Sequence, residues 1–374
     1  MIKNFHVFQL IRCLFIIIAI NLYGLSTTGA AQEKDRAINP AYATYDFGDH
    51  NKVVVLGSQP LGVLHSVVPE IMKRDQVLVS ILKSQGLELR VLPFYNGPDI
   101  NHFMKEGKID ISMAGDFPTL TMASTTDVEI VAIVKRDRAS VVSHTQYTTL
   151  MDLKGKRIGF PAGTSSHLGL LVVLEASGLM ESDVQMVPMD IDVLTTALVN
   201  GKIDAFAGWE PIPASAIASN KNLKRIAQFL NTDFIYWRGT FAKENPKAAR
   251  HILAAYIRAL NWLNSNETNL TQGAQWSIAG TEAFLGQHSK LSLVQFKQQI
   301  RKNHNLIGTA TDPSTEFADK SYFNRAFSLL QQKGILPKEG KWTLVQQALH
   351  PDLIQEILAE PETYKTNVFD YSLD

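Results

Sequence analysis

The sequence predicts an α/β protein of two lobes, each carrying a parallel sheet, and three observations lead there. Short β-branched runs alternate with helical apolar spacing from about residue 52 to 235, the pattern of right-handed βαβ units. Gly107-Lys108-Ile109-Asp110 recurs as Gly201-Lys202-Ile203-Asp204, followed both times by a strand, a glycine and a proline-opened helix. Such a repeat reads as a duplicated lobe. From Asn245 onward the alternation stops and only helical spacing remains.

The elements follow in order. In the first lobe Val53–Leu56, Leu87–Leu92, Ile109–Met113 and Val128–Val134 read as strands, being rich in Val, Ile and Leu and bounded by Gly, Pro or Asn. Between them Val63–Ser84, Asp99–Glu106 and Phe117–Ala123 have helical spacing. The second lobe repeats the scheme with strands Lys156–Phe160, Val184–Val187 and Ile203–Ala207, and helices His167–Ser177 and Val193–Asn200. A further helix opens at Gly208-Trp209-Glu210-Pro211. Pro246–Leu263, Thr271–Ala279, Leu291–Lys302 and Ser321–Lys333 form a helical tail, with Pro246 and Gly334 as ordinary helix punctuation. The expected boundaries are lobe one at 52–140, lobe two at 143–235 and a return to lobe one at 240–374, with the chain crossing out at Ser140–Ser143.

Composition narrows the class. The 374 residues suffice for two or three domains with real cores. Thirty-six basic and 36 acidic side chains leave no net charge, which argues against a nucleic-acid partner. Forty-five per cent hydrophobic content argues against disorder.

The N-terminus reads as an export signal. Lys3 and Arg12 precede an apolar stretch, Cys13–Leu22, and then small residues up to Ala31, the three parts of a secretory signal. The stretch is about half the roughly 20 residues a membrane span needs. Residues 1–31 are therefore expected to be cleaved, sending the chain to the periplasm. Cys13 is the only cysteine, so the mature chain would have no disulfide, thiol nucleophile or cysteine-based metal site.

Four loops share one design: the carboxyl end of a strand, a glycine, small hydroxyl or proline residues, then a helix start. They are Gly57–Gly62, Gly115–Pro118, Gly163–Ser166 and Gly208–Pro211. Ligands of open parallel sheets bind outside the carboxyl ends of the strands, and helix N-termini there suit small anions. Ser58, Gln59, Thr164, Ser165 and Ser166 add side-chain donors, each of which also has the plainer role of a helix cap. Trp209 has the face and indole N–H to wall a small pocket, or is a buried aromatic at a lobe junction. Asp116 and Glu210 stand at equivalent helix starts, able to meet an amino group or simply to complement the helix dipole.

Enzyme signatures are absent: no Gly-x-Ser-x-Gly, Walker-type loop, Gly-x-Gly-x-x-Gly or His-Glu-x-x-His occurs. The ten histidines, His65 and His167 among them, never fall at metal spacing. No catalytic residue, metal or cofactor is expected, and a binding protein fits better than an enzyme.

Three segments resemble the ABC-transporter substrate-binding proteins for alkanesulfonates, taurine and nitrate. They are Phe94–Pro98 with Gly107–Pro118, Leu153–His167, and Ala197–Pro211, in order between about residues 52 and 245. The resemblance implies a type II periplasmic binding fold: two lobes joined by two crossings, a cleft between them, and the helical tail packed on lobe one. It also implies a ligand site at Ser58, Gln59, Asp116, Thr164, Ser165, Ser166, Trp209 and Glu210. The chain departs from the family where Glu210 replaces a frequent Asp and where Ile212-Pro213 stands in place of an aromatic. The function so implied is capture of a small organosulfonate or similar oxyanion by a monomer, for delivery to an inner-membrane ABC permease. The alternatives are a pyrimidine-type heterocycle as ligand, or an exported hydrolase on the same fold using His65 or His167.

Overall fold

The computed structural model describes residues 38–302 and 313–372; the expected export signal lies outside them. Strand β1 (Val53–Ser58) leads into α1 (Val63–Met72) and α2 (Gln76–Lys83), and β2 (Glu88–Pro93) into α3 (Gly97–Lys105). Then come β3 (Ile111–Gly115), α4 (Asp116–Ala123) and β4 (Val128–His144). The second half holds β5 (Arg157–Phe160), α5 (Ser165–Ala176), β6 (Gln185–Pro188), α6 (Leu194–Val199), β7 (Ala205–Gly208), α7 (Ile212–Ser219) and β8 (Leu223–Arg238). The tail is α8 (Gly239–Glu244), α9 (Pro246–Ser265), α10 (Glu267–Leu285), α11 (Leu293–Lys302), α12 (Tyr322–Gln332), α13 (Trp342–Gln347) and α14 (Pro351–Ala359).

The strands form one sheet in the order β2-β1-β3-β8-β4-β7-β5-β6. In the first half β1 pairs in parallel with β2 and β3, and in the second β5 pairs in parallel with β6 and β7. Each trio ends on an antiparallel crossing strand, β8 beside β3 and β4 beside β7. The two halves thus have the same order, and β4 and β8 pair antiparallel from Val128↔Arg238 to His144↔Leu223, running through both.

The duplicated tetrapeptide has the same job in each half. Gly107 and Gly201 take φ of +75° and +68°, left-handed values that glycine adopts without strain and that end α3 and α6. Three residues on, Asp110 accepts from the Val55 N–H at 2.8 Å and Asp204 from the Arg157 N–H at 2.9 Å. Each aspartate ties the returning chain to the central strand of its trio, and an arginine, Arg238 or Arg157, neutralises it.

Three departures from the sequence reading have physical causes. The helix expected over Val63–Ser84 is two helices, because Asp75 caps a second start by accepting from the Leu78 N–H at 3.0 Å. The strand expected at Val128–Val134 continues to His144, and β8 was not foreseen at all. Both crossing strands carry runs of charged and polar residues where a buried strand would be apolar.

The tail packs on the first half. One apolar core lies between the β1–β3 sheet, α1 and α2 and the tail helices α9 and α10, with Trp237, Tyr256, Trp262 and Trp276 as its largest members. A second lies on the other sheet face, where Phe234 of β8 meets Phe317 and Phe323 of the tail and α4 contributes Phe117 and Leu120. A third fills the second half around Phe160, Phe206 and Phe229. The fully buried pair Arg258–Asp75, at 2.7 Å, pins α9 to the cap of α2. Arg258 also donates to the carbonyls of Tyr364 and Lys365, leaving no N–H cluster unsatisfied at that charge. Among the described residues no helix is long and apolar enough to cross a membrane.

Candidate functional site

The loops after β1, β3, β5 and β7 meet where the halves face each other. Trp209, after β7, donates its indole N–H to the carbonyl of Leu61, after β1, at 3.1 Å. Gly115 at the end of β3 lies against Ser165 at the start of α5, so closely that a Cβ on Gly115 would be 2.0 Å from Ser165 Oγ. The Phe117 ring of the first half faces the His167 ring of the second at 5.7 Å.

Asp116 is central. It is 1% exposed and accepts from its neighbour's N–H, Phe117 at 2.7 Å, with the Ser165 hydroxyl and the Thr232 N–H near enough to favour its ionised form. Its other oxygen, Oδ2, has no partner among the described residues. Burial pushes the carboxyl up to about 7, against the pull of the Ser165 bond, and the nearby Asp233 adds to the rise. Ser166 beside it is fully buried with its hydroxyl unpartnered among the described residues.

Beneath these loops the crossing strands carry an ionic cluster. Lys135 on β4, 1% exposed, holds Asp137 at 3.0 Å and Asp233 on β8 at 3.2 Å. Asn231 donates to Asp137 at 2.7 Å. His65, in the first turn of α1, sits 3.3 Å from Asp233; burial and the Lys135 charge lower it to about 3, so the ring is neutral. The register explains the assembly: Lys135 lies opposite Asp233 and Asp137 opposite Asn231, just past a bulge at Ile133/Lys135. One lysine against two carboxylates, with Asp116 nearby, makes the cluster net acidic.

The remaining residues expected at the site divide. Gln59 turns inward to the Met113 carbonyl, at 2.8 Å. Thr164 folds back on the Pro161 carbonyl at 2.7 Å. Ser58 donates to the Leu92 carbonyl at 3.4 Å and lines a pocket of the first half with Ser66, Ser277 and Phe284. Trp209 is 7% exposed, and its ring belongs to an apolar core that is mostly of the second half but takes in Leu61 of the first. Glu210 is held by Arg225 at 2.7 Å and by the Ala214 N–H at 3.0 Å. His167 packs against Phe160 at 4.6 Å and accepts from the Gly163 N–H; burial lowers it to about 4.

Sequence reasoning missed Lys135, Asp137, Arg225, Asn231 and Asp233, and gave His65 a role only in the hydrolase alternative. The signal was present in Lys135-Arg136-Asp137-Arg138, four charges in line behind a β-branched run. Charge inside a strand marks either an edge or a site.

Where the first half meets α7 and α11, a pocket of about 780 Å³ opens beside the crossing strands, and Asp137 and Glu210 lie on its wall. Among the described residues no three His, Cys, Asp or Glu side chains gather as metal ligands do.

The sequence family described as NMT1/THI5 like matches residues 82–268. Among curated relatives, a protein of Brucella abortus named as a binding protein is 28% identical over 196 residues, 49% of this chain and 60% of its own length. The taurine-binding periplasmic protein of Escherichia coli is 25% identical over 186 residues, 47% of this chain and 58% of its own. The chain therefore spans less than two thirds of these relatives. Among solved structures, the alkanesulfonate-binding protein from Xanthomonas axonopodis pv. citri bound to MOPS is 20% identical with a TM-score of 0.62, covering 81% of this chain and 100% of its own. The desulfurization enzyme DSZB is 14% identical with a TM-score of 0.53, covering 83% of this chain and 99% of its own. Likeness at these identities establishes the fold, which binding proteins and an enzyme share.

Proposed function

The chain belongs to the NMT1/THI5-like family, and from that premise we propose that it is the extracytoplasmic solute-binding component of an ABC importer. It captures a small organosulfonate or similar oxyanion between two lobes, 52–140 with the tail 240–374 on one side and 143–235 on the other. It acts as a periplasmic monomer and hands the ligand to an inner-membrane permease.

The observation that carries this reading is the meeting of strand-end loops across the junction, with Asp116 Oδ2 and Ser166 Oγ buried there and unpartnered among the described residues. Buried polar atoms without partners are costly, and a captured ligand removes the cost if it brings an acceptor to Ser166 and a donor, such as the ammonium of an aminosulfonate, to Asp116. β4 and β8 are the two crossings about which the lobes would open.

Opening and closing is a rigid-body motion of the lobes, which part where Leu168 and Leu171 pack into the second core and Leu61 into the third. The enzyme alternative is weaker on two counts. Both candidate histidines are buried and neutral, and the His167 ring packs against Phe160 and Phe117.

The heterocycle reading keeps one specific support: Asp116, Asp137, Glu210 and Asp233 crowd the junction, and carboxylates accept from ring N–H and amino groups. A thermal-shift screen with taurine, short alkanesulfonates, nitrate, sulfate and aminopyrimidines separates the two. Binding to the folded state alone stabilises by about 2.7 kcal/mol at 100 times Kd, a shift of roughly 1–4 °C for a chain this long. A shift with the sulfonates supports the first reading, a shift with aminopyrimidines alone the second. Turnover of an added ester that is lost in His65→Ala would overturn both.

A further inference from the structure

The pocket of about 780 Å³ beside the crossing strands is lined by four cationic side chains, Arg136, Arg138, Arg225 and Lys302. Two are already committed: Arg136 to Glu316 at 2.5 Å, and Arg225 to Glu210 at 2.7 Å and Ser140 at 2.7 Å. The two acids on the wall are committed as well, Glu210 to Arg225 and Asp137 to Lys135 at 3.0 Å. Arg138 and Lys302 have no ion-pair partner among the described residues, so the wall carries two uncompensated positive charges. The rest of the lining is partly apolar, with Ile217 from α7 and Leu230 from β8, the latter 36% exposed. Lys302 comes from the tail helix α11 and Ile217 from the second half, so the pocket is built by both sides of the junction.

The loop junction itself is a poor home for a bare anion, because Asp116 and Asp233 crowd it. The pocket is the reverse: two free cations over apolar walls. Its volume lies in the upper part of the roughly 300–1,000 Å³ range of small-molecule sites, more than a two-carbon sulfonate fills. The geometry points to Arg138 and Lys302 as the pair that receives the acid group of an organic anion whose ring or longer chain lies on Ile217 and Leu230. This inference rests on the reading that a ligand is captured at the lobe junction, and it narrows the class to sulfonates or carboxylates with a substantial apolar body. Arginine suits the task, since its planar fork matches an oxyanion through two parallel hydrogen bonds.

The test is isothermal calorimetry on the purified protein and on an Arg138→Gln/Lys302→Gln double variant. The probes are ethanesulfonate, benzenesulfonate, octanesulfonate, benzoate and neutral benzenesulfonamide. Benzenesulfonate or octanesulfonate should bind at least tenfold more tightly than ethanesulfonate, and the sulfonamide should not bind. The double variant should lose at least tenfold for the anions while melting at the parent temperature, since both replaced groups are free of internal partners among the described residues. Equal affinity of the parent and the variant for the aryl and alkyl sulfonates would overturn the inference and leave the importer reading standing. So would ethanesulfonate binding most tightly of the series. Binding of benzoate alone, lost in the variant, would support the pocket and refute sulfonate as the ligand. No binding of any anion would overturn the pocket assignment outright.

Discussion

Replacing Gly115 with alanine tests lobe closure with a single methyl group. Gly115 has φ of −70° and ψ of 175°, ordinary extended backbone, so alanine brings no strain of its own. The added Cβ would stand 2.0 Å from Ser165 Oγ, 3.1 Å from Asp233 Oδ1 and 3.2 Å from Ser165 Cβ. Rotating Ser165 relieves the shortest contact but gives up its hydrogen bond to the Asp116 carboxyl. The Cβ–Cβ contact at 3.2 Å remains whatever the rotamer. Overpacking of this kind costs roughly 1–3 kcal/mol, and here the two groups belong to opposite halves. Separating the halves therefore relieves the clash, at the cost of the contacts that Leu168 and Leu171 make in the second core and Leu61 in the third. The Gly115→Ala variant should melt only slightly below the parent, expand measurably in small-angle scattering, and bind ligand roughly 5–150-fold more weakly. Adding Ser165→Gly, which removes both offending atoms, should restore much of the affinity. Parental affinity in Gly115→Ala would refute closure through this contact, and so would a large loss of melting temperature.

Three further outcomes are expected. Lys135→Met leaves Asp137 and Asp233 buried without their counter-charge and should cost about 3–5 kcal/mol in urea unfolding, a loss that a merely exposed lysine would not produce. Asp116 is raised to about 7 against roughly 3.9 unfolded, so the folded protein holds a proton that the unfolded chain has released between those values. Its contribution therefore falls as pH rises from about 4 to 7, by up to roughly 1.4 kcal/mol per unit. Asp116→Asn should thus gain on the parent across that window and run parallel above it, and a difference independent of pH would count against the assignment. Asp110→Ala and Asp204→Ala each free a strand N–H and an arginine. Asp110 is the more deeply buried and should cost more, about 2–3 kcal/mol against about 1, by denaturant midpoint, with ligand affinity unchanged in both.

How legible the molecule was depends on what each residue is for. The trios β1–β3 and β5–β7 were readable because their apolar runs and glycine stops serve the backbone alone. Gly107 and Gly201 need left-handed φ, and that requirement is visible as a letter in the sequence. The junction was half legible: Asp116, Ser165 and Ser166 sit at helix starts and were found by that position. Ser58 shares the same grammar and lines a pocket of the first half, since loop chemistry does not say which cavity a hydroxyl takes. β8 and the end of β4 escaped because their pattern is broken by Lys135, Asp137, Asn231 and Asp233. Those groups are tolerable in a buried strand only as one another's partners, across a register that the linear sequence does not display. Asp75 hid in the same way, its ion-pair partner Arg258 lying 183 residues along the chain.

The duplication and the chemistry occupy different parts of the molecule. Both copies of the repeat set up the same frame, a left-handed glycine that ends a helix and an aspartate that ties the chain to the central strand. The ionic groups stand instead on β4 and β8, which the two trios share. Because Lys135–Asp233 and Asp137–Asn231 face each other where the strands cross, the charge at the junction is set by four side chains in one ladder. Changing those four alters the charge a ligand meets without touching either trio. The frame is then free to be kept while the ligand changes, in keeping with a fold that is shared by an alkanesulfonate-binding protein and a desulfurization enzyme. For this chain the ladder is net acidic and the adjoining pocket net basic. That division favours a ligand whose acid group lies in the pocket and whose hydrogen-bond donors, if it has any, point towards Asp116.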